Sequence, residues 1–180
     1  MIDPQELLKT FLELDIRFFT GVPDSLLKEI CYCFNKSLDK NKHIIACNEG
    51  SAVALGIGHY LATSRPALIY LQNSGLGNTI NPLISLAHEE VYSIPSILLI
   101  GWRAELIDNS DQLIDEPQHI AQGKITCKQL DLMGIDYFIL ENNTKNFKDL
   151  IKEKLERSIR DSKPFAIVVR KNCFIKNKER

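Results

Sequence analysis

Glu49 stands where the sequence changes character, between an apolar run, His43 to Cys47, and a stretch rich in small residues: Gly50, Ser51, Ala52, Ala54, Gly56 and Gly58. Small side chains let a helix approach another body closely, so this carboxylate opens a helix suited to contact. It is either a helix-start acid favoured by the macrodipole or a group that moves a proton. A second feature is "QNSGLGN", Gln72 to Asn78. Its Gly75 and Gly77 either let backbone amides face an anion at a helix start or serve turn geometry alone. The segment lacks the lysine of a P-loop and the third glycine of a dinucleotide fingerprint.

Among the histidines, His119 in "DEPQH" adjoins a polar loop, whereas His59 lies inside a helical pattern where packing is the ordinary role. No two histidines have metal-ligand spacing, and no Gly-x-Ser-x-Gly elbow occurs, so the sequence offers no metal-ligand set.

The elements that must position these residues alternate along the chain. Asp3 as N-cap, Pro4 in the first turn and Glu6 in a box-like pair open the first helix. Strands are predicted around Phe18 and Phe19, and over His43 to Cys47, Ala67 to Gln72, Ser96 to Gly101, Tyr137 to Leu140 and Phe165 to Arg170. Helices are predicted from Ser25 to Asn35, Glu49 to Ala62, Thr79 to His88, Thr126 to Met133 and Phe147 to Ile159. Strands such as "SILLIG" and "FAIVVR" are continuous apolar runs, as expected when helices cover both faces of a parallel sheet. The expectation is an α/β fold, an open doubly wound six-stranded parallel sheet in a single domain over residues 1–180. Ligands then bind beyond the carboxyl ends of the strands, at "TGVPDS", "CNEGS", "QNSGLGN" and "GWRAE". The polar stretch Asp108 to Pro117 is either a lid or interface loop or an exposed connection.

The chain carries 22 basic and 23 acidic residues with no long run of either sign, so neither nucleic acid nor a membrane is an expected partner. Five cysteines without a Cys-x-x-Cys pair suit a reducing compartment, and the start of the chain lacks the pattern of a signal peptide. A cytoplasmic protein is expected.

"GVPDSLL", "NEGSAVALGIGHYLAT", "YLQNSGLGNTINPL", "YSIPSILLIGWRAE" and "DEPQH" together resemble the N-terminal, pyrimidine-binding half of the thiamine-diphosphate-dependent 2-oxoacid decarboxylases. The resemblance spans about Gly21 to Lys171 and is to the phosphonopyruvate decarboxylase branch, with the sulfopyruvate decarboxylase alpha subunit as near relative. It implies conversion of 3-phosphonopyruvate to 2-phosphonoacetaldehyde and CO2. It also implies that Glu49 meets N1′ of the aminopyrimidine of thiamine diphosphate and that Asp24 and Ser25 approach the substrate. Gln72, Asn73, Ser74 and Gly75 would then line the cofactor side. Arg103, with its forked donors, and His119 are candidates for the substrate's phosphonate. Such enzymes hold the diphosphate through Mg²⁺ on a Gly-Asp-Gly motif, which is found nowhere in this sequence. A diphosphate-binding beta subunit or domain is therefore the expected partner, in a homo- or hetero-oligomer. A non-catalytic α/β binding or scaffold domain is the alternative of another class.

Overall fold

Alternate residues of the central strands belong to two different cores, and this division builds the fold. In the computed structural model, which describes residues 1–108 and 111–176, the strands are β1 (Phe19–Gly21), β2 (His43–Ile45), β3 (Leu68–Gln72), β4 (Ile97–Gly101), β5 (Asp136–Leu140) and β6 (Phe165–Val169). All pairings are parallel, in the order β2-β1-β3-β4-β6-β5. Leu68, Tyr70, Ile97, Leu99, Phe165 and Ile167 face one side, and Ile69, Leu71, Leu98, Ile100, Ala166 and Val168 face the other.

The first core is covered by α1 (Pro4–Glu13), α2 (Lys28–Ser37) and α6 (Phe147–Asp161), through Leu7, Phe11, Phe34, Ile151 and Leu155. The second is covered by α3 (Glu49–Thr63), by the helical segment Asn73–Ala87 that contains α4 (Ile80–Pro82), and by α5 (Pro117–Leu132). This is the doubly wound six-stranded α/β sheet expected from the sequence. Asp3 caps α1 by accepting the Gln5 N–H at 2.9 Å, while Glu6 pairs across to Lys148 at 3.8 Å.

Several boundaries differ from the sequence expectation for identifiable reasons. The apolar run His43 to Cys47 reads as a buried strand, but β2 covers only His43–Ile45 and is an edge strand bonded only to β1, with Ile45 53% exposed. An apolar run does not by itself say which side of a strand has a neighbour. α2 begins at Lys28 rather than Ser25, after a turn in which the N–H groups of Leu26 and Leu27 donate to Asp24 Oδ2 at 3.0 and 3.2 Å. The helix expected from Thr79 begins at Asn73 as a tight 3₁₀ run and widens to a π-turn over Leu83–Ala87, directly after Pro82. α5 starts at Pro117 rather than near Thr126, since proline suits a first helical position and its early residues carry little apolar signal.

The polar stretch after Asp108 folds back on the end of β4: Ile107 N–H donates to Asp111 O and Leu113 N–H to Glu105 O. Asn109 and Ser110 of that stretch lie outside the described residues.

Gly21 shows how tightly the sheet edge at the site is built. A Cβ at that position would fall 2.1 Å from the carbonyl oxygen of Tyr70 and 2.6 Å from its ring, in the neighbouring strand. Neither group can yield without moving β3. Gly21→Ala is expected to lower stability by about 3 kcal/mol in urea unfolding; a loss below about 1 kcal/mol would show that the two strands can part.

Candidate active site

The chain leaves β1 outward to β2 and returns past β1 to β3, so the loops after β1 and β3 diverge. Between such loops an α/β sheet opens a crevice at its carboxyl edge. Four segments meet this edge: the turn after β1, the start of α3, the 3₁₀ run after β3 and the residues after β4.

α3 delivers Glu49 as its first residue. The capping task falls to Asn48, whose side-chain oxygen accepts the Ser51 N–H at 2.9 Å. Glu49 is half-buried. Its Oε2 accepts from Asn78 Nδ2 at 2.8 Å, and its Oε1 lies over Gly75, where a Cβ would come within 2.2 Å of it. Gly50 admits the same loop from below, since a Cβ there would stand 2.9 Å from the Asn78 carbonyl oxygen. Neither Gly75 nor Gly77 has a positive φ; Gly134 is the one such glycine among the described residues. Gly75 is thus required by close approach, not by turn conformation.

β3 ends in Gln72, whose Nε2 donates to Ser74 Oγ at 2.5 Å. Asn73, expected on the cofactor side, is placed differently. It is wholly buried, donates to Arg103 O at 3.2 Å and Thr126 Oγ1 at 2.9 Å, and accepts the Arg103 N–H at 3.1 Å. The carboxamide is therefore a brace between the ends of β3 and β4 and the middle of α5.

Arg103 follows β4. Its Nε and Nη2 donate to the two oxygens of Asp115, at 2.7 and 2.5 Å, and its Nη1 donates to Ser25 Oγ at 3.1 Å. The guanidinium holds the Asp115 carboxyl well below the usual carboxylate range, chiefly by this forked bond, and Asp115 in turn raises Arg103. Ser25 is exposed at the site, whereas Asp24 beside it is buried. Asp24 Oδ2 gathers the turn's N–H groups and packs against Gly101, while its Oδ1 has no hydrogen-bond partner among the described residues. Burial pushes the Asp24 carboxyl up, opposed by those N–H groups and by Arg103. Asp24 therefore shapes the turn that presents Ser25.

His119 lies in the first turn of α5, close enough to help lower Asp115, and its Nδ1 is buried without a partner among the described residues. Ser25, Arg103 and His119 are thereby gathered around Asp115, and Glu49, Gly75 and Asn78 form the other group. Asp115 and Asn78 were not singled out from the sequence. Asp115 lies twelve residues from Arg103 in sequence, and no local pattern joins the two.

Residues 5–130 match the model of the thiamine pyrophosphate enzyme N-terminal TPP binding domain. The chain belongs to that family. It is 34% identical over 161 residues to the sulfopyruvate decarboxylase subunit alpha of Methanococcus maripaludis, covering 89% of this chain and 90% of the relative. It is 32% identical over 146 residues to the phosphonopyruvate decarboxylase of Streptomyces viridochromogenes, covering 80% of this chain and 34% of that protein. The fold is shared with the benzoylformate decarboxylase of Polynucleobacter necessarius, at a TM-score of 0.67 and 16% identity, over 100% of this chain and 32% of that one.

The site can be tested against the family's cofactor. A half-buried carboxylate over a bare glycine surface fits an aminopyrimidine ring nitrogen. Among the described residues no three His, Cys, Asp or Glu side chains are grouped to hold a metal. No helix among them is long and apolar enough to cross a membrane.

Gly75→Ala tests the seating of Glu49. The atom a new Cβ would meet belongs to a flexible side chain, so the fold is expected to survive with its thermal midpoint within a few degrees. Glu49 should leave Asn78, read as a shift of the Asn78 side-chain amide in an NMR spectrum. An unmoved amide signal would contradict this packing.

Proposed function

We propose that this chain is the pyrimidine-binding part of a thiamine-diphosphate-dependent carboxy-lyase acting on a three-carbon 2-oxoacid with a terminal acid group. The observation that carries this reading is Glu49: freed from capping by Asn48, anchored by Asn78, and facing a surface that only glycine leaves open. Glu49 holds and exchanges the proton at N1′ of the aminopyrimidine, with Gln72, Ser74 and Gly75 on the neighbouring loop lining the cofactor side. When bound, thiamine diphosphate supplies the carbon nucleophile and the electron sink for decarboxylation. Ser25 and Arg103 bind the substrate's acid group, with His119 beside them.

The reaction we assign is 3-phosphonopyruvate to 2-phosphonoacetaldehyde and CO2. Its support is the set of strand-end motifs together with the match to the Streptomyces enzyme. Sulfopyruvate is a second substrate reading, favoured by the match to nearly the whole length of the Methanococcus subunit alpha. Both acids present a terminal group of three oxygens.

The diphosphate and Mg²⁺ fall to a partner chain or domain. Exposed Leu55 and Leu61 of α3, with Ile80 and Ile84 in the following helical segment, offer that partner apolar surface on the elements that hold Glu49 and Asn78. Either a beta subunit or a further domain would complete the site.

Phosphonopyruvate and sulfopyruvate assayed side by side, with the partner, thiamine diphosphate and Mg²⁺, test this reading. Glu49→Gln is expected to lower kcat by 10²-fold or more while the chain stays folded, since an amide cannot exchange the proton. Near-normal turnover in that variant would remove the cofactor role. Failure of the wild-type assembly to decarboxylate either acid would favour a scaffold domain.

A further inference from the structure

The bonds around Arg103 leave a definite remainder. A guanidinium carries five N–H donors. Nε–H and one N–H of Nη2 go to Asp115, and one N–H of Nη1 goes to Ser25. One N–H on each of Nη1 and Nη2 has no partner among the described residues. Ser25 Oγ is the acceptor in its bond to Arg103, so the hydroxyl hydrogen is free to be donated elsewhere.

The remaining side of Arg103 is fixed as firmly. Its main-chain N–H and C=O are both taken by the wholly buried Asn73, and Ala104, next in sequence, has a φ of +49°, which most side chains avoid. Gln112 Nε2 donates to the carbonyl oxygens of Ala104 and Ile120, at 2.7 and 2.8 Å, which ties the strap bearing Asp115 to the end of β4 and the start of α5. Asp115 also accepts the Glu116 N–H at 2.9 Å. The side-chain exposures of Arg103 and Asp115 are 24% and 15%, so the pair is largely shielded yet still reachable from solvent.

We propose that Asp115 is a positioning residue: it splints Arg103 so that the two remaining guanidinium N–H groups and the Ser25 hydroxyl form a preset receptor for the terminal oxyanion of the substrate. This rests on the role given above to Arg103 and Ser25 and adds how they are held. Three donors on a rigid frame suit a terminal acid group of three oxygens, and little ordering is left to be done when it binds. Asp115 stays in place in the complex. Its charge keeps the guanidinium from serving a second carboxylate side-on and directs incoming anions to the end bearing Nη1 and Nη2.

Two readouts test the proposal. In the isolated chain, the Arg103 Nε–H signal in a ¹⁵N NMR spectrum should exchange slowly with water in the wild type and at least tenfold faster in Asp115→Asn, a near-isosteric change. In the assembled enzyme, Asp115→Asn should raise KM for the decarboxylated acid about tenfold and lower kcat less. Arg103→Met should raise KM at least as much, and the double variant should match Arg103→Met alone, because Asp115 acts only through Arg103. A fall in KM for Asp115→Asn would show instead that Asp115 is a counter-ion displaced by substrate, and additive losses would show that it acts independently; either result overturns the proposal. Unchanged exchange in Asp115→Asn would overturn it from the chain alone. Unchanged KM in Arg103→Met would remove the substrate role of Arg103 itself, an outcome separable from failure of the splint.

Discussion

Asn73 is buried in full, and a buried carboxamide left unsatisfied would cost about 1 to 3 kcal/mol. It meets that demand with the main chain of Arg103 and the hydroxyl of Thr126, and so binds the end of β3 to the end of β4 and to α5. Everything on the Arg103 side of the crevice depends on this tie. With the Arg103 backbone fixed, its side chain reaches Ser25 on one side and Asp115 on the other; Asp115 in turn holds the strap that leads into α5. The Glu49 side depends on a different constraint, the close approach of two glycines: Gly50 lets the segment after β3 come down on α3, and Gly75 leaves room for the Glu49 carboxylate.

The parallel sheet places these two groups on one edge. Every strand runs the same way, so the segments after β1, β2, β3 and β4 emerge together, and the reversal at β1 and β3 keeps them from closing over one another. One side bears Glu49 with Gly75 and Asn78, the other Arg103 with Ser25 and Asp115, and among the described residues no three His, Cys, Asp or Glu side chains are grouped to hold a metal. On the function proposed above, the apolar side chains exposed on α3 and the helical segment after it are the surface offered to a partner chain or domain.

Much of this was legible in the sequence because apolar strands and glycine-rich loops are local signals. Glu49, Ser25 and Arg103 stood out through their neighbours in "CNEGS", "GVPDS" and "GWRAE", and the structure brings each to the same sheet edge. The brace made by Asn73 was not legible because it lies in contacts with residues 103 and 126, which no local pattern shows. The pairing of Arg103 with Asp115 was hidden for the same reason, and the exposure of Ile45 depended on which strand lay at the edge. Early α5 was missed because its residues face solvent on most sides and carry no stripe.

The central claim, that Glu49 is the proton partner of the aminopyrimidine, is most directly tested by the ¹⁵N NMR shift of thiamine diphosphate labelled at N1′, bound to the assembled protein. With the wild-type chain the N1′ signal should move to the position of a protonated or strongly hydrogen-bonded ring nitrogen, and in Glu49→Gln it should return toward that of the free cofactor at the same pH. An N1′ signal that is the same in both proteins would contradict the assignment.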